Sequence, residues 1–286
     1  MDPFDDMIPL ARAGFFLKKM KKAFLVSLTF TAFLFLIASC TSTKQEFNPT
    51  QTEYNWQEVQ PGIWRFDYKD SSFPVIYHAV KIDLTTPGLE ITCFPQTQNQ
   101  NTKAKRITTA RFASKYNTTV AINATPFSKE DIVGVHINDG QLISRPVPGY
   151  AVIAFSKDSL GWQAFIFDSQ TDELLQNYDY AFGGFFTVLK NSSPYGTYLP
   201  ITDSRMGVGI TQDGRTLIIL AVEGEIHFIS RGLSYEQCAQ IFLEMGCTHA
   251  LELDGGGSTQ LCINGKSVLT YPAFRKQGNS FGFYTK

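Results

Sequence analysis

No stretch of this chain is apolar for long enough to cross a bilayer as a helix. The longest such run, residues 23–37, falls short of the roughly 20 residues a span needs. Cysteine is scarce, at five in 286 residues, which excludes a disulfide scaffold. Histidine is scarcer still, at four. Neither sign of charge dominates: 25 Lys and Arg against 26 Asp and Glu give −1. That balance excludes a nucleic-acid binder relying on bulk electrostatics. No internal repeat recurs at a fixed period, and no low-complexity tract lies beyond a short polar stretch near the N-terminus. Apolar residues, by contrast, make up 43%, which excludes disorder of the whole chain. The 24 Phe and 12 Tyr favour strands over a helical bundle.

The N-terminal segment reads as an address. Lys21 and Lys22 precede the apolar run, and Leu36-Ile37-Ala38-Ser39-Cys40 resembles the bacterial lipobox, in which the Cys sulfur takes a lipid. Met20 is the expected start, because Asp2, Asp5 and Asp6 are out of place ahead of such a run. The expected divisions are a signal segment over 1–40 lipidated at Cys40, a polar tether over 41–54 and a domain over 55–286. Thr41 after the Cys, in place of Asp, favours outer-membrane attachment in the cell envelope. Cys93, Cys238, Cys247 and Cys262 show neither a disulfide framework nor a zinc spacing, so buried thiols are expected.

Along the domain, residues 75–84, 119–123, 134–137 and 141–144 read as strands, the last two joined by Asn138-Asp139-Gly140. Residues 150–155 and 162–167 read as a pair, and residues 206–211 and 216–222 as a hairpin. Residues 260–263 and 266–269 form another hairpin around Asn264-Gly265, residues 250–253 a short strand, and residues 278–284 a closing one. Helices are expected over 106–116 and 234–245. The second opens on a Ser234/Gln237 capping box, with Cys238, Ile241, Phe242 and Met245 on one face and Gly246 at its end. The fold class is therefore α+β: a strand-dominated mixed-sheet domain with two principal helices, lacking the βαβ alternation of a doubly wound fold.

The most informative stretch is Leu253-Asp254-Gly255-Gly256-Gly257-Ser258. It delivers a carboxylate at a strand end, followed by three glycines that expose backbone N–H groups. Such a loop suits either an anion nest or a tight turn capped by its own Asp. Gln260 breaks the nucleophile-elbow pattern, and none of His78, His136, His227 or His249 carries a motif for a Ser-His-Asp hydrolase. His136 lies nearest a suspect loop. Glu252 and Asp254, two apart on a strand, are expected on one side. Paired carboxylates serve glycoside hydrolysis, but adjacent acids also occur on plain solvent-facing strands.

Several motifs in order resemble the phosphodiester glycosidase family, over most of residues 75–286. They are Asp254-Gly255-Gly256-Gly257-Ser258, Arg231-Gly232-Leu233-Ser234, Ser204-Arg205-Met206-Gly207-Val208-Gly209, Asn264-Gly265, Gly183-Gly184, Arg275 with Asn279, and Asn123 opening Ala124-Thr125-Pro126-Phe127. The chain departs from the family pattern in three places. Ala124-Thr125-Pro126 replaces two glycines, Glu223 stands where many members have Asp, and members often lack an acid at position 252.

The resemblance implies cleavage of the sugar C1–O bond of a sugar-1-phosphodiester, N-acetylglucosamine-1-phosphodiester being one case, in envelope or host glycans. Asp254 is then the first carboxylate and Glu223 the second. Arg205 and Arg231 hold phosphate, Asn123 meets the sugar, and Gly255, Gly256, Gly257 and Ser258 line the pocket. Arg275, Asn279 and His136 stand close by. No ligand spacing calls for a metal or other cofactor, although an acid-rich pocket can take a divalent ion. Two rivals remain: a non-catalytic glycan-binding surface lipoprotein, and a metal-dependent phosphodiesterase that breaks P–O. The expected partners are a glycan phosphodiester and, through the lipid, a membrane.

Overall fold

Alternation along the long strands of the domain buries both of their faces, and that sets the layering. A computed structural model describes residues 47, 53–171, 176–196 and 200–286. The signal segment and Cys40 lie outside the described residues. In chain order the elements begin with strands β1 (Gln57–Gln60), β2 (Ile63–Asp70), β3 (Val75–Asp83) and β4 (Leu89–Phe94). Helix α1 (Thr109–Tyr116) leads to β5 (Val120–Asn123), β6 (His136–Asn138), β7 (Gln141–Ser144), β8 (Val152–Asp158) and β9 (Gly161–Phe167). Then follow β10 (Tyr180–Gly183), β11 (Phe186–Lys190), β12 (Ser193–Pro194), β13 (Arg205–Ile210) and β14 (Thr216–Val222). Helix α2 (Tyr235–Glu244), β15 (His249–Glu252), β16 (Leu261–Ile263), β17 (Lys266–Ser267) and β18 (Ser280–Thr285) complete the domain.

These strands form three sheets. One has eight strands in the order β1-β2-β3-β14-β13-β15-β11-β12, and two have five, β7-β6-β10-β8-β9 and β17-β16-β5-β18-β4. The α+β class with two helices is as expected. The mixed-sheet part of that expectation is corrected: every ladder between the described strands is antiparallel. Hairpins and long returns replace the crossover helices that parallel neighbours require.

The large sheet turns Val80, Ile82, Val208, Ile219 and Leu251 toward Ile122, Phe155, Phe182, Phe281 and Phe283 of the two smaller sheets, in one buried cluster. Its other face carries Tyr77, Ala79, Ile218 and Leu220, covered by Cys238, Ile241 and Phe242 of α2. Strand β13 admits the helix closely because Gly207 and Gly209 alternate on that face. A Cβ on Gly209 would lie 2.7 Å from Phe242 Cδ1, an overpacking that costs about 1–3 kcal/mol. Helix α1 packs Phe112 and Ala113 on the outside of the third sheet, against Phe94, Ala121 and Cys262.

Local chemistry explains the helix ends. Thr108 caps α1 by accepting the Arg111 N–H, so the helix begins at Thr109 instead of 106. In α2 the Ser234/Gln237 capping box forms in full. Gly246 at φ +87° then lets the Cys247 N–H reach the Phe242 carbonyl at 2.9 Å. The domain also begins earlier than residue 55. Phe47, within the expected tether, is buried and lies 5.6 Å from the Tyr68 ring and 6.2 Å from Phe73. The four described cysteines are free and buried, as expected.

Candidate active site

The ends of two sheets meet where the glycine loop leaves β15. Arg205 at the start of β13 faces Val222 at the end of β14, and Gly207 faces Glu252. From the third sheet, Asn123 at the end of β5 donates its side-chain N–H to the Asp254 carbonyl at 2.7 Å and accepts the Gln260 N–H at 2.8 Å. The Asp254 N–H in turn reaches the Ala124 carbonyl at 2.8 Å. Asn123, expected to meet a sugar, is fully buried and fastens the loop instead.

Close approach explains the three glycines. A Cβ on Gly255 would lie 2.9 Å from the Ser204 carbonyl, and one on Gly257 would lie 2.9 Å from Arg275 Nη2. Gly256, at φ +55°, turns its N–H inward to the Ser204 carbonyl at 2.8 Å. The N–H groups of Gly255 and Gly257 have no acceptor among the described residues. Two backbone donors of the loop are thus unused among the described residues, and Arg275 lies against Gly257.

Asp254 is half-buried beside them. Burial pushes its pKa up to about 6, against the opposing pull of a Ser258 hydrogen bond and the Arg275 charge. At neutral pH it is an anion with a raised proton affinity, which suits a base or a nucleophile. Arg275 Nη1 also donates to Ser258 Oγ at 3.3 Å. The Arg275 carbonyl is held by Gln260 Nε2 at 2.7 Å and Gln277 Nε2 at 3.1 Å, and Gln277 also holds the Ser258 carbonyl.

The other expected site residues fall elsewhere. Arg205 is buried, donates Nε to the Leu233 carbonyl (3.0 Å) and Nη2 to the Ile201 carbonyl (2.7 Å), and stacks 3.8 Å over Tyr235. Arg231 is exposed, with its guanidinium over the Phe73 ring at 5.9 Å. Asp254 therefore has Arg275, not these two, as its cationic neighbour. Asn279 accepts the Thr125 N–H at 2.7 Å and donates to Thr125 Oγ1 and to His136 Nδ1 at 3.0 Å. It clamps the stiffer loop that replaces two glycines. Accepting at Nδ1 leaves His136 its proton on Nε2, 3.3 Å from Cys93 Sγ, and burial lowers its pKa to about 3.

Glu223 is the centre of a buried relay. It accepts the Thr270 N–H at 2.8 Å and the Thr270 hydroxyl, and His78 Nε2 lies 2.9 Å away. His78 Nδ1 lies 2.7 Å from Asp67, which also takes Arg65. Burial would raise Glu223 and lower His78. The hydrogen bonds outweigh it in both, so Glu223 titrates below its ordinary range and His78 above. Glu252 and Asp254, expected on one face, part company: β15 ends at Glu252, whose side chain is buried beneath the loop. Among the described residues no group of three His, Cys, Asp or Glu is placed to hold a metal ion.

Sequence reasoning assigned no site role to His78, Asp67, Thr270, Gln260 and Gln277, whose partners lie far along the chain and follow no local pattern. The family pattern of the phosphodiester glycosidases matches residues 116–284, more than half of the chain. The chain belongs to that family. It is 30% identical over 178 residues to the SPbeta prophage-derived uncharacterized protein YomE of Bacillus subtilis (strain 168), covering 57% of this chain and 27% of that protein. It is 28% identical over 90 residues to bovine N-acetylglucosamine-1-phosphodiester alpha-N-acetylglucosaminidase, covering 32% of this chain and 16% of the relative. The chain thus spans well under half the length of either. The auto-inhibited catalytic domain of the zebrafish enzyme of that same name shares the fold, with a TM-score of 0.60, 20% identity, and coverage of 78% and 82% of the two chains.

Proposed function

We propose that this member of the family hydrolyses the sugar C1–O bond of a sugar-1-phosphodiester of envelope or host glycans, with N-acetylglucosamine as a first sugar to try. The observation that carries the proposal is the half-buried Asp254 beside two unused backbone N–H groups and the Arg275 guanidinium. A phosphate leaving group departs as a stable anion, so it needs charge stabilisation more than protonation. The Gly255 and Gly257 donors and the planar fork of Arg275 supply that. Asp254 acts at the anomeric carbon or on the attacking water. Glu223, saturated by His78 and Thr270, anchors the segment that leads to Arg275 in place of serving as a second acid.

Hydrolysis in isotopically labelled water tests this. Label on the sugar C1 hydroxyl is expected. Label in phosphate would make the protein a P–O-cleaving phosphodiesterase, and intact substrate would make it a binder. Asp254→Asn is expected to abolish turnover with near-unchanged thermal unfolding, and the wild-type rate to rise with pH through about 6. A fully active variant would remove Asp254 from the reaction.

A further inference from the structure

Glu252 closes β15 directly beneath the glycine loop, and its carboxyl makes no hydrogen bond among the described residues. Its side chain is 1% exposed, and neither carboxyl oxygen has a hydrogen-bond partner. A Cβ on Gly255 would lie 3.1 Å from Oε1, so this oxygen faces the loop backbone from below. Native proteins seldom leave a buried polar group unsatisfied, and both oxygens of one carboxyl are left so here.

The charged and titratable groups facing it come from four elements. Arg205 belongs to β13, Asp203 to the segment before it, Asp254 to the loop, and Tyr235 and Cys238 to α2. Only Arg205 is a cation, and two of its nitrogens serve the Leu233 and Ile201 carbonyls. Burial pushes the Glu252 carboxyl up to about 8. The Arg205 charge and the Met206 N–H oppose that shift, without the latter reaching hydrogen-bond geometry, and Asp254 and Asp203 add to it. At neutral pH the group is an uncharged acid.

We propose that Glu252 is a positioning residue that must be uncharged for an anion to occupy the donors of Gly255 and Gly257. This deepens the phosphodiester reading and rests on it. While the carboxyl holds its proton, the bound anion meets the N–H dipoles, the Arg275 guanidinium and the charge of Asp254, which is constant above about pH 7. Once the proton leaves, a full negative charge lies one backbone layer beneath the anion in a poorly solvated site. At a separation of about 5 Å and an effective dielectric of about 20, that repulsion is worth a ten- to hundredfold loss of affinity, Arg205 absorbing part of it. Asp254 has already lost its proton by about pH 7, so it does not contribute to a change above that point.

Sulfate serves as the probe, because its charge is constant over the range needed. Its affinity for the full chain is measured from about pH 7 to about pH 10 for wild type and Glu252→Gln. Wild-type affinity is expected to fall ten- to hundredfold across about pH 8, while the variant stays flat. Infrared difference spectra give a second readout on the wild type alone, should the variant fail to fold. The protonated-carboxyl band has to vanish over the same pH interval as the affinity. A parallel fall in Glu252→Gln, or a flat wild-type affinity while the band titrates, overturns the role of Glu252 and leaves the anion cradle standing. Absence of sulfate binding at every pH overturns the cradle, and this proposal with it.

Discussion

Replacing His78 by Phe keeps a planar ring of similar size and deletes both hydrogen bonds of the Asp67–His78–Glu223 relay. Glu223 is 1% exposed and retains only its two Thr270 donors afterwards. A charge-assisted hydrogen bond is worth about 1.5–3 kcal/mol, and orphaning a buried charge entirely costs about 3–5. The Asp67 side is discounted because its carboxylate is 38% exposed and screened. The expected loss is therefore about 2–3 kcal/mol. Its pH dependence follows from the two shifts. His78 titrates above its ordinary 6.5, so its contribution is complete below that pH and is lost as pH rises through the raised value. Glu223 titrates below its ordinary 4.5, so its contribution is present above that pH and lost as pH falls through the depressed value. The penalty of His78→Phe is largest between these two limits and shrinks in alkali. Urea unfolding near pH 5.5 and near pH 9 measures it, with an unchanged m-value as the control. An equal penalty at both pH values, or one below about 0.5 kcal/mol, would refute the argument.

Arg275→Ala is expected to reduce turnover of a sugar-1-phosphodiester at least tenfold more than that of an aryl glycoside, with little change in unfolding. Arg205→Ala is expected to impair both substrates alike and lower the unfolding midpoint, because its guanidinium holds two carbonyls and stacks on Tyr235. Kinetics with both substrates, beside thermal melts, separate the two arginines; the opposite ranking would return the phosphate to Arg205. At the N-terminus, Cys40→Ala is expected to abolish incorporation of labelled fatty acid in a bacterial host. Undiminished labelling would remove the lipobox reading.

Local chemistry made some of this molecule readable in advance and hid the rest. Helix α2 was legible because its capping box, apolar face and terminal Gly246 all lie within thirteen consecutive residues. The glycine loop stood out as a candidate site for the same reason. Strands β1, β2, β4, β10 and β11 had no counterpart in the sequence reading. Their pairing is decided by neighbours such as β3, β15 and β18 and not by any turn signal of their own. The roles of individual polar residues were least legible. Asn123 stood out as a candidate sugar contact, but its engagement by Gln260, 137 positions away, was not legible. His78 meets Glu223 across 145 positions. Glu252 looked dispensable because its burial depends on Gly255 folding back over it, which is a tertiary fact.

The fastening of Arg275 has a practical corollary. The grips on its carbonyl, from Gln260 and Gln277, are uncharged amides, whereas its guanidinium carries the full charge on which the proposed function draws. Dissolved ions weaken the second kind of force and leave the first almost untouched. Raising ionic strength should therefore dim the attraction of the pocket for its cargo while the scaffold around that arginine keeps its shape, making added salt a clean dial on recognition.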